Sequence, residues 1–341
     1  MTIDKKVSER FYLIYFIAAC VVVSIHCGQE MTAKGMIGQE WMRSCINWAV
    51  PFFFLMAGAF FRMGYVNTFS GFCATAKKKF FTLFIPYLLW CLIGFVMRFP
   101  LVQDEFCQMS LGGMIDSLFG ITTSFPIGNG VLWFVRTLIV LQFGLMALWG
   151  CISKDKKLRV TCWGGGILLL SAFLPFGGAR IARVIVDAAL TNPSAAIYFF
   201  VGFFFAKGLV ARSRPVWDVL MLVVGILICG VIGSLGWVDF KLGRHILNIG
   251  IILSLIGGCD LWLVRWNRSL GNWIYTTFFI YCFHRVPVEY IGKSVNKMTF
   301  LNADVRFFFF VVFSVVLVVV CAQLLKRYLP RVYAVLSGGR M

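Results

Sequence analysis

Two histidines of this 341-residue chain lie inside long apolar stretches, where ionisable side chains are rare. His26 ends the stretch FYLIYFIAACVVVSIH, and His284 ends YTTFFIYCFH. Placing such a group at membrane depth costs free energy, so it usually lines a polar cavity that has a function. An imidazole titrates near neutral pH and can accept the proton of an attacking hydroxyl. The two histidines are therefore the first candidates for acid–base chemistry.

Two charged residues extend this candidate site. Arg136, in the segment NGVLWFVRTLIVL, falls about one turn inside its apolar stretch, at a depth similar to that of the histidines. Its guanidinium could stabilise a developing oxyanion or hold an anionic substrate. Glu30 follows His26 by one helical turn, which allows a His–carboxylate pair if the helix continues. The alternative is that each group is a polar contact between helices or an anchor at the lipid headgroups.

Three consecutive lysines, Lys77–Lys79, precede the apolar segment FFTLFIPYLLW. A lysine cluster at the cytoplasmic face suits a polyanionic donor such as a coenzyme A nucleotide. The simpler interpretation is a positive anchor that orients the neighbouring helix.

The elements that must position these residues are apolar helices. Hydrophobic residues make up 60 % of the chain and charged residues only 13 %, about half the charged fraction of a soluble domain. No internal repeat or linker divides the chain, so residues 1–341 are interpreted as a single domain. The predicted fold class is an all-α membrane bundle of about ten transmembrane helices. The predicted spans are about 11–27, 46–64, 80–98, 131–149, 160–175, 194–206, 216–234, 246–264, 272–288 and 306–325.

The distribution of charge orients these helices. With the N-terminus inside, 20 of the 32 basic residues fall in cytoplasmic segments. The positive-inside rule therefore predicts an even number of spans and two cytoplasmic termini, in a plasma membrane or inner membrane. The net charge of +18 is divided among short loops between apolar stretches, so the lipid bilayer is an expected partner and nucleic acid is not.

Six segments, in this order, resemble motifs of the acyltransferase-3 family of multi-pass membrane acyltransferases. AACVVVSIH (18–26) is similar to the family's first-helix segment, which ends in a histidine. VPFFFLMAGAFF (50–61) is similar to its second helix, and KKKFFTLFIPYLLW (77–90) to its basic cluster followed by IPYLLW. LWFVRTLIVL, YFFVGFFFAKG and TFFIYCFH, which start at residues 132, 198 and 277, resemble three later motifs.

The resemblance implies a core of ten helices with cytoplasmic ends. It also implies transfer of an acyl group, commonly acetyl from cytoplasmic acetyl-coenzyme A, to a hydroxyl of a sugar or glycan. By motif match His26 takes the role of the family's essential histidine, and Lys78–Lys79 fall in its basic cluster. His26 would activate the acceptor hydroxyl or carry the acyl group, Arg136 would steady the oxyanion, and His284 would position the acceptor or assist proton transfer.

The predicted site thus has three parts, with acetyl-coenzyme A as co-substrate and no metal. Its members are His26, Arg136, His284 and Glu30 for catalysis, Lys77, Lys78 and Lys79 for the donor, and Trp133 and Tyr281 for the acceptor.

The chain departs from the family pattern at several positions. Members usually carry an Arg eleven residues before the first histidine, and often an Asp three residues before that. This chain has Tyr15 and Tyr12 there. Ala57 replaces the Ser of the second helix, and Thr82 a later basic residue. Arg10 is more than a turn away from Tyr15 and is predicted to lie at the membrane edge.

These departures leave two alternatives to an enzyme. One is a transporter or flippase for a lipid-linked sugar or small anion, with the same polar residues as the translocation path. The lack of inverted repeats argues against it. The other is a catalytically inactive partner in glycan assembly. A homo-oligomer is one alternative for the oligomeric state.

Overall fold

The structure is a computed structural model that describes residues 5–31, 47–120, 127, 129–173, 193–210, 214–265 and 271–340. The described residues are overwhelmingly helical, and no strand occurs among them. The predicted all-α class is confirmed.

The helices are numbered here in chain order. The first are α1 (Lys5–Glu30), α2 (Ala49–Gly64), α3 (Phe69–Lys79), α4 (Ile85–Cys107), α5 (Leu111–Phe119), α6 (Trp133–Cys151) and α7 (Lys156–Phe173). They are followed by α8 (Pro193–Phe204), α9 (Ala206–Leu209), α10 (Pro215–Ser234), α11 (Lys241–Arg265), α12 (Thr277–Phe283), α13 (Arg285–Val295), α14 (Ala303–Tyr328) and α15 (Pro330–Leu336). A π-helix, Phe80–Phe84, joins α3 to α4, and 3-10 turns at Gly130–Leu132, Trp237–Asp239 and Asn272–Thr276 precede α6, α11 and α12.

Six helical stretches in the described part of the chain are long and apolar enough to cross a membrane. They are Glu9–Glu30, Phe69–Cys107, Gly130–Cys151, Pro215–Ser234, Lys241–Trp262 and Ala303–Tyr328. Each overlaps one of the ten predicted spans, and two shorter apolar helices, Ala49–Gly64 and Ser194–Phe204, overlap two more. The predicted span 160–175 falls on α7 and ends outside the described residues. The described residues thus confirm a membrane protein of several helices, while the count of ten spans stays a prediction.

The predicted span 272–288 is divided into a 3-10 turn and two helices. A 3-10 turn leads into α12, and α12 gives way to α13 at His284. Pro287 explains the break, because it has no N–H to donate to the carbonyl of Phe283 one turn earlier, and its ring crowds that carbonyl. The interruption of the helix at His284 therefore follows from Pro287, three residues later in the sequence.

The segment after the third predicted span also differs from the prediction. α4 continues through Pro100 to Cys107, nine residues beyond the predicted boundary at 98. The residues that follow form α5, with Ser110 as N-cap and Gly120 in the left-handed region at φ 57°. Within α5 the Leu111 side chain is exposed and no residue is fully buried, which suits a surface helix.

The described helices divide into two compact units. Unit 1 contains the described residues among 1–53, 207–333 and 340, and unit 2 contains those among 54–206 and 334–339. In unit 1, α1 packs against α11, α12, α13 and α14, and α10 packs along α11. Gly225 and Gly257 allow that last contact, because a Cβ at either position would overlap with the backbone of the other helix. Small residues at helix crossings are the usual means of close packing in membranes.

Unit 2 contains a similar close crossing. A Cβ on Gly58 of α2 would overlap with the carbonyl of Phe199 in α8, and a Cβ on Gly202 of α8 would overlap with the carbonyl of Leu55 in α2. Both glycines belong to the motif-like segments identified in the sequence. These two segments therefore contribute small residues that let the backbones of two helices come into direct contact.

The connection between α6 and α7 fixes the start of α3. Asp155 accepts hydrogen bonds from the backbone N–H of Phe69 at 2.7 Å and of Leu158 at 3.2 Å. These donors, Phe69 first, lower the pKa of the Asp155 carboxyl, because they stabilise its charged form. Asp155 thereby holds in place the helix whose last turn carries Lys77–Lys79.

The orientation in the membrane can be tested with reporters. We expect a reporter fused after Arg340, or inserted within 153–159, to read as cytoplasmic, and one inserted within 108–118 to read as external. The reason is the surplus of basic residues on the predicted cytoplasmic side. Reporter-enzyme activity in intact cells measures this directly. An external signal from the C-terminal fusion would mean that the number of spans is odd.

Candidate active site

The structure places the two intramembrane histidines side by side in unit 1. His26 lies in the last two turns of α1, and His284 joins α12 to α13. Their ring centroids are 5.1 Å apart, with an angle of 38° between the planes. His284 is completely buried, whereas His26 is partly accessible. Of the pair, His26 is thus the more accessible imidazole.

Hydrogen bonds determine which ring nitrogen of each histidine carries the proton. Nδ1 of His284 lies 3.0 Å from the carbonyl oxygen of Ile280 and 2.9 Å from that of Tyr281. Carbonyl oxygens only accept, so Nδ1 is the donor and Nε2 of the neutral ring carries the lone pair. Nδ1 of His26 lies 2.8 Å from Oε1 of Gln29, which assigns the same tautomer. Both rings therefore have a basic Nε2.

Nε2 of His284 is buried and has no hydrogen-bond partner among the described residues. An unsatisfied buried acceptor is costly unless a ligand or water completes it. This nitrogen belongs to a ring 5.1 Å from that of His26, so the two imidazoles form one site.

A charged pair borders the histidines. Arg285 donates from Nη1 to Oε1 of Glu30 at 2.6 Å, and both side chains are partly exposed. The Arg285 guanidinium is close enough to act electrostatically on both imidazoles. α1 does continue to Glu30, as the predicted His26–Glu30 pair requires, but the Glu30 carboxylate binds Arg285 and the partner of His26 is Gln29. Glu30 thus acts on the site through Arg285.

α13 approaches α1 closely at this point. Gly292 faces Glu30, and a Cβ on Gly292 would lie 2.9 Å from the Cβ of Glu30. Nδ2 of Asn296 donates to the carbonyl oxygen of Glu30 at 2.9 Å. That bond satisfies one of the carbonyls left open at the end of α1. The two contacts hold the Glu30–Arg285 pair in position.

Tyr281 is also in unit 1, one turn before His284. Its ring is buried, 6.1 Å from the His284 ring and 5.9 Å from that of Phe53. Its backbone carbonyl fixes the His284 tautomer. The predicted contact of Tyr281 with the acceptor stays a prediction, since what the structure shows is a packing role behind the imidazole.

Arg136 and Trp133 belong to unit 2, near the start of α6. Arg136 donates from Nη1 to the carbonyl oxygen of Gly120 at the end of α5. Tyr87 donates to the adjacent carbonyl of Phe119. The Trp133 ring lies 6.3 Å from that of Phe54. In these contacts Arg136 closes a helix end, so its predicted role at an oxyanion has no direct support from its hydrogen bonding.

Lys77–Lys79 form the last turn of α3, directly before the π-helix Phe80–Phe84. Lys77 and Lys78 are exposed, and Thr82 lies within the π-helix. Single π-turns inside α-helices occur frequently at functional sites. The exposure of two of the three lysines agrees with both the donor-site interpretation and the anchor interpretation.

Sequence reasoning missed Arg285, Gln29 and Asn296. The signal for Arg285 was present: it follows His284 directly in an apolar stretch, and the rule that singled out the histidines applies equally to an arginine. Gln29 and Asn296 are ordinary polar residues at helix ends, and only the tertiary structure gives them partners at this site.

The described residues are helical and place a guanidinium next to a pair of imidazoles. The chain belongs to the acyltransferase-3 family, since the family model described as an acyltransferase domain matches residues 13–327. The resemblance drawn from the six sequence segments is thereby confirmed. Comparison with curated proteins and with solved structures gives no match.

Proposed function

We propose that this protein is an O-acyltransferase that moves an acyl group, acetyl in the simplest case, from cytoplasmic acyl-coenzyme A to a hydroxyl of a cell-envelope or exported glycan. The observation that carries the proposal is the histidine pair, in which Nε2 of both rings is free to accept a proton. We place the protein in the plasma or inner membrane with both termini in the cytoplasm.

In the proposed reaction His26 acts as the general base. Its Nε2 takes the proton from the acceptor hydroxyl as the hydroxyl oxygen attacks the thioester carbonyl carbon. The new C–O bond forms, the C–S bond breaks, and the departing thiolate takes up the proton from the His26 imidazolium. Gln29, bonded to Nδ1, keeps the His26 ring in the required tautomer.

His284 and Arg285 have supporting roles. Nε2 of His284 accepts a hydrogen bond from the acceptor and so orients it for attack. The tetrahedral oxyanion needs a positive or N–H donor group, and we assign this role to Arg285 in place of the predicted Arg136. Arg285 acts on both imidazoles electrostatically, and a guanidinium bonded to Glu30 through one nitrogen retains further N–H donors.

Lys77–Lys79 are proposed to attract the phosphates of the donor. Lysine binds phosphate as a point charge, and its attraction is strongest at low ionic strength. The accessible position of Lys77 and Lys78 supports this role. The resemblance to the acyltransferase-3 family supports a sugar hydroxyl as the acceptor.

Mass spectrometry of cell-envelope and exported glycans tests the proposal. Cells that carry the gene should contain a glycan heavier by one acyl group than the same glycan from cells without it. An unchanged glycan profile, together with movement of a labelled lipid-linked sugar across vesicles that contain the purified protein, would favour the transporter. An unchanged profile and no such movement would favour the inactive partner.

A further inference from the structure

α1 and α14 run antiparallel past the histidine pair. Sγ of Cys27, which directly follows the histidine of α1, lies 3.8 Å from Oγ of Ser314 in α14, and both side chains are buried. About one turn further along α1, Gly292 of α13 lies between the two helices. A Cβ on Gly292 would be 2.9 Å from the Cβ of Glu30 and 3.4 Å from Cζ of the Phe310 ring. Glu30 is thus level with Phe310, one turn before Ser314 in α14.

The first turn of α14 continues past this level. Arg306 precedes Phe310 by four residues, which is about 6 Å along the helix axis. Residues four apart share one face of a helix, so Arg306 lies on the face that Phe310 packs against Gly292. Since α1 ends at Glu30, Arg306 stands at the end of α1, above the histidine pair.

The guanidinium of Arg306 has no partner among the residues that the structure describes. Its Nε is buried without a hydrogen bond, and the residue as a whole is half-buried. Asp304 in the same turn is two residues away, and residues at that spacing do not face each other on a helix. An unsatisfied buried donor is costly, and the helix dipole disfavours a cation in the first turn. A bound anion would remove both costs.

The carboxylates of α1 and α13 near this end have basic neighbours of their own. Glu30 accepts from Arg285 at 2.6 Å. Glu289 lies four residues after Arg285 and four before Lys293, which is the spacing of side-chain pairs on a helix. The positive charge of Arg306 is therefore left for a ligand.

We propose that Arg306 binds an acidic group of the acceptor, a carboxylate or a phosphate, so that this protein acylates an acidic glycan. The inference rests on the proposed O-acyltransferase function and names its class of acceptor. A guanidinium matches either anion with two parallel N–H donors. From Ser314, which is level with the residue after His26, to Arg306 the helix rises about 12 Å. The hydroxyl that reacts at His26 and the acidic group at Arg306 can thus belong to neighbouring units of one glycan.

The composition of the glycan that is acylated in cells is the first test. Mass spectrometry of glycans from cells with and without the gene should place the added acyl group on, or next to, a unit that carries a carboxylate or a phosphate. Fragment masses tell these two groups apart. An acyl group on a neutral glycan would overturn the inference and leave the proposed function intact.

Acylation by the purified full-length protein tests the residue itself. The acceptor is the same glycan isolated from cells without the gene, and the donor is acetyl-coenzyme A. Arg306→Gln should raise the KM for the acceptor about tenfold or more, as expected for loss of a charge-assisted contact, with kcat little changed. Arg306→Lys should retain part of the effect of the charge. Arg244→Gln is the matched control, since Arg244 is an exposed arginine in the first turn of α11. It should keep the wild-type KM.

Neutralising the acceptor distinguishes anion binding from a packing role. Amidation of the carboxylate, or enzymatic removal of the phosphate, should raise the KM of the wild type and leave that of Arg306→Gln unchanged. If Arg306→Gln has the wild-type KM, or still discriminates between the acidic and the neutralised glycan, Arg306 is a packing residue and the inference is wrong. If the wild type acylates no glycan, the proposed function fails, and this inference with it. Equal thermal stability of the variants in detergent is the check on folding.

Discussion

His26→Ala should abolish acylation of the glycan, with a loss of about 100-fold or more, which is the usual effect of removing a general acid–base group. His26 is the partly accessible member of the histidine pair, and its Nε2 carries the lone pair. The variant should still insert into the membrane and still bind acetyl-coenzyme A, because the proposed donor contacts lie at other residues. The measurement is acyl transfer in membranes, with glycan mass spectrometry as the readout.

Two further variants make this result interpretable. His284→Ala should be less severe and should impair use of the acceptor more than turnover, since His284 orients the hydroxyl in the proposed mechanism. His245→Ala is the matched control, because His245 lies in α11 outside the proposed site. It should leave acylation unchanged. Near-normal acylation by His26→Ala would make His26 a structural contact and would remove the proposed mechanism.

The pairing of the two histidines illustrates what a sequence can predict about a membrane site. Both residues were identified by one physical argument, the cost of an ionisable group at membrane depth. Their neighbours were not, because hydrogen-bond partners depend on tertiary structure. Arg285 and Glu30 are 255 positions apart, and nothing local to either residue selects the other. Glu30, which was expected to pair with His26 one turn away, bonds instead to Arg285.

The fold shows a similar division. In the described part of the chain, the apolar stretches of the sequence located six helices of spanning length. They did so because a helix that faces lipid must be apolar over its whole length. Their ends were less predictable. α4 continues through Pro100, whereas the helix is interrupted at His284, one turn before Pro287. Proline permits either outcome in a membrane helix. Which of the two occurs is decided by the surrounding packing.

Arg10 is the residue for which structure and expectation differ most. It does lie at the start of the stretch Glu9–Glu30, but its side chain is only 2 % exposed and forms an ion pair with Asp260. It also donates to the carbonyl of Leu209 at 3.2 Å. The carboxyl of Asp218, itself buried, interacts with that of Asp260. Arg10 of α1 therefore pairs with a carboxyl group of α11 that also interacts with a carboxyl group of α10.

This arrangement predicts that removing the arginine destabilises the protein more than neutralising one of the carboxyl groups. Arg10→Met should destabilise the protein by about 3–5 kcal/mol, the usual cost of removing one partner from a buried ion pair, because it leaves two carboxyl groups facing each other. Asp260→Asn should cost less, about 1–2 kcal/mol, since the Asn oxygen can still accept from Arg10 and the interaction between two carboxyl groups is removed. Thermal unfolding in detergent should thus rank the midpoints as wild type, then Asp260→Asn, then Arg10→Met. Arg10→Lys, which keeps the charge, should fall between the wild type and Arg10→Met. Equal midpoints for Arg10→Met and the wild type, or a lower midpoint for Asp260→Asn than for Arg10→Met, would show that Arg10 does not hold this cluster together.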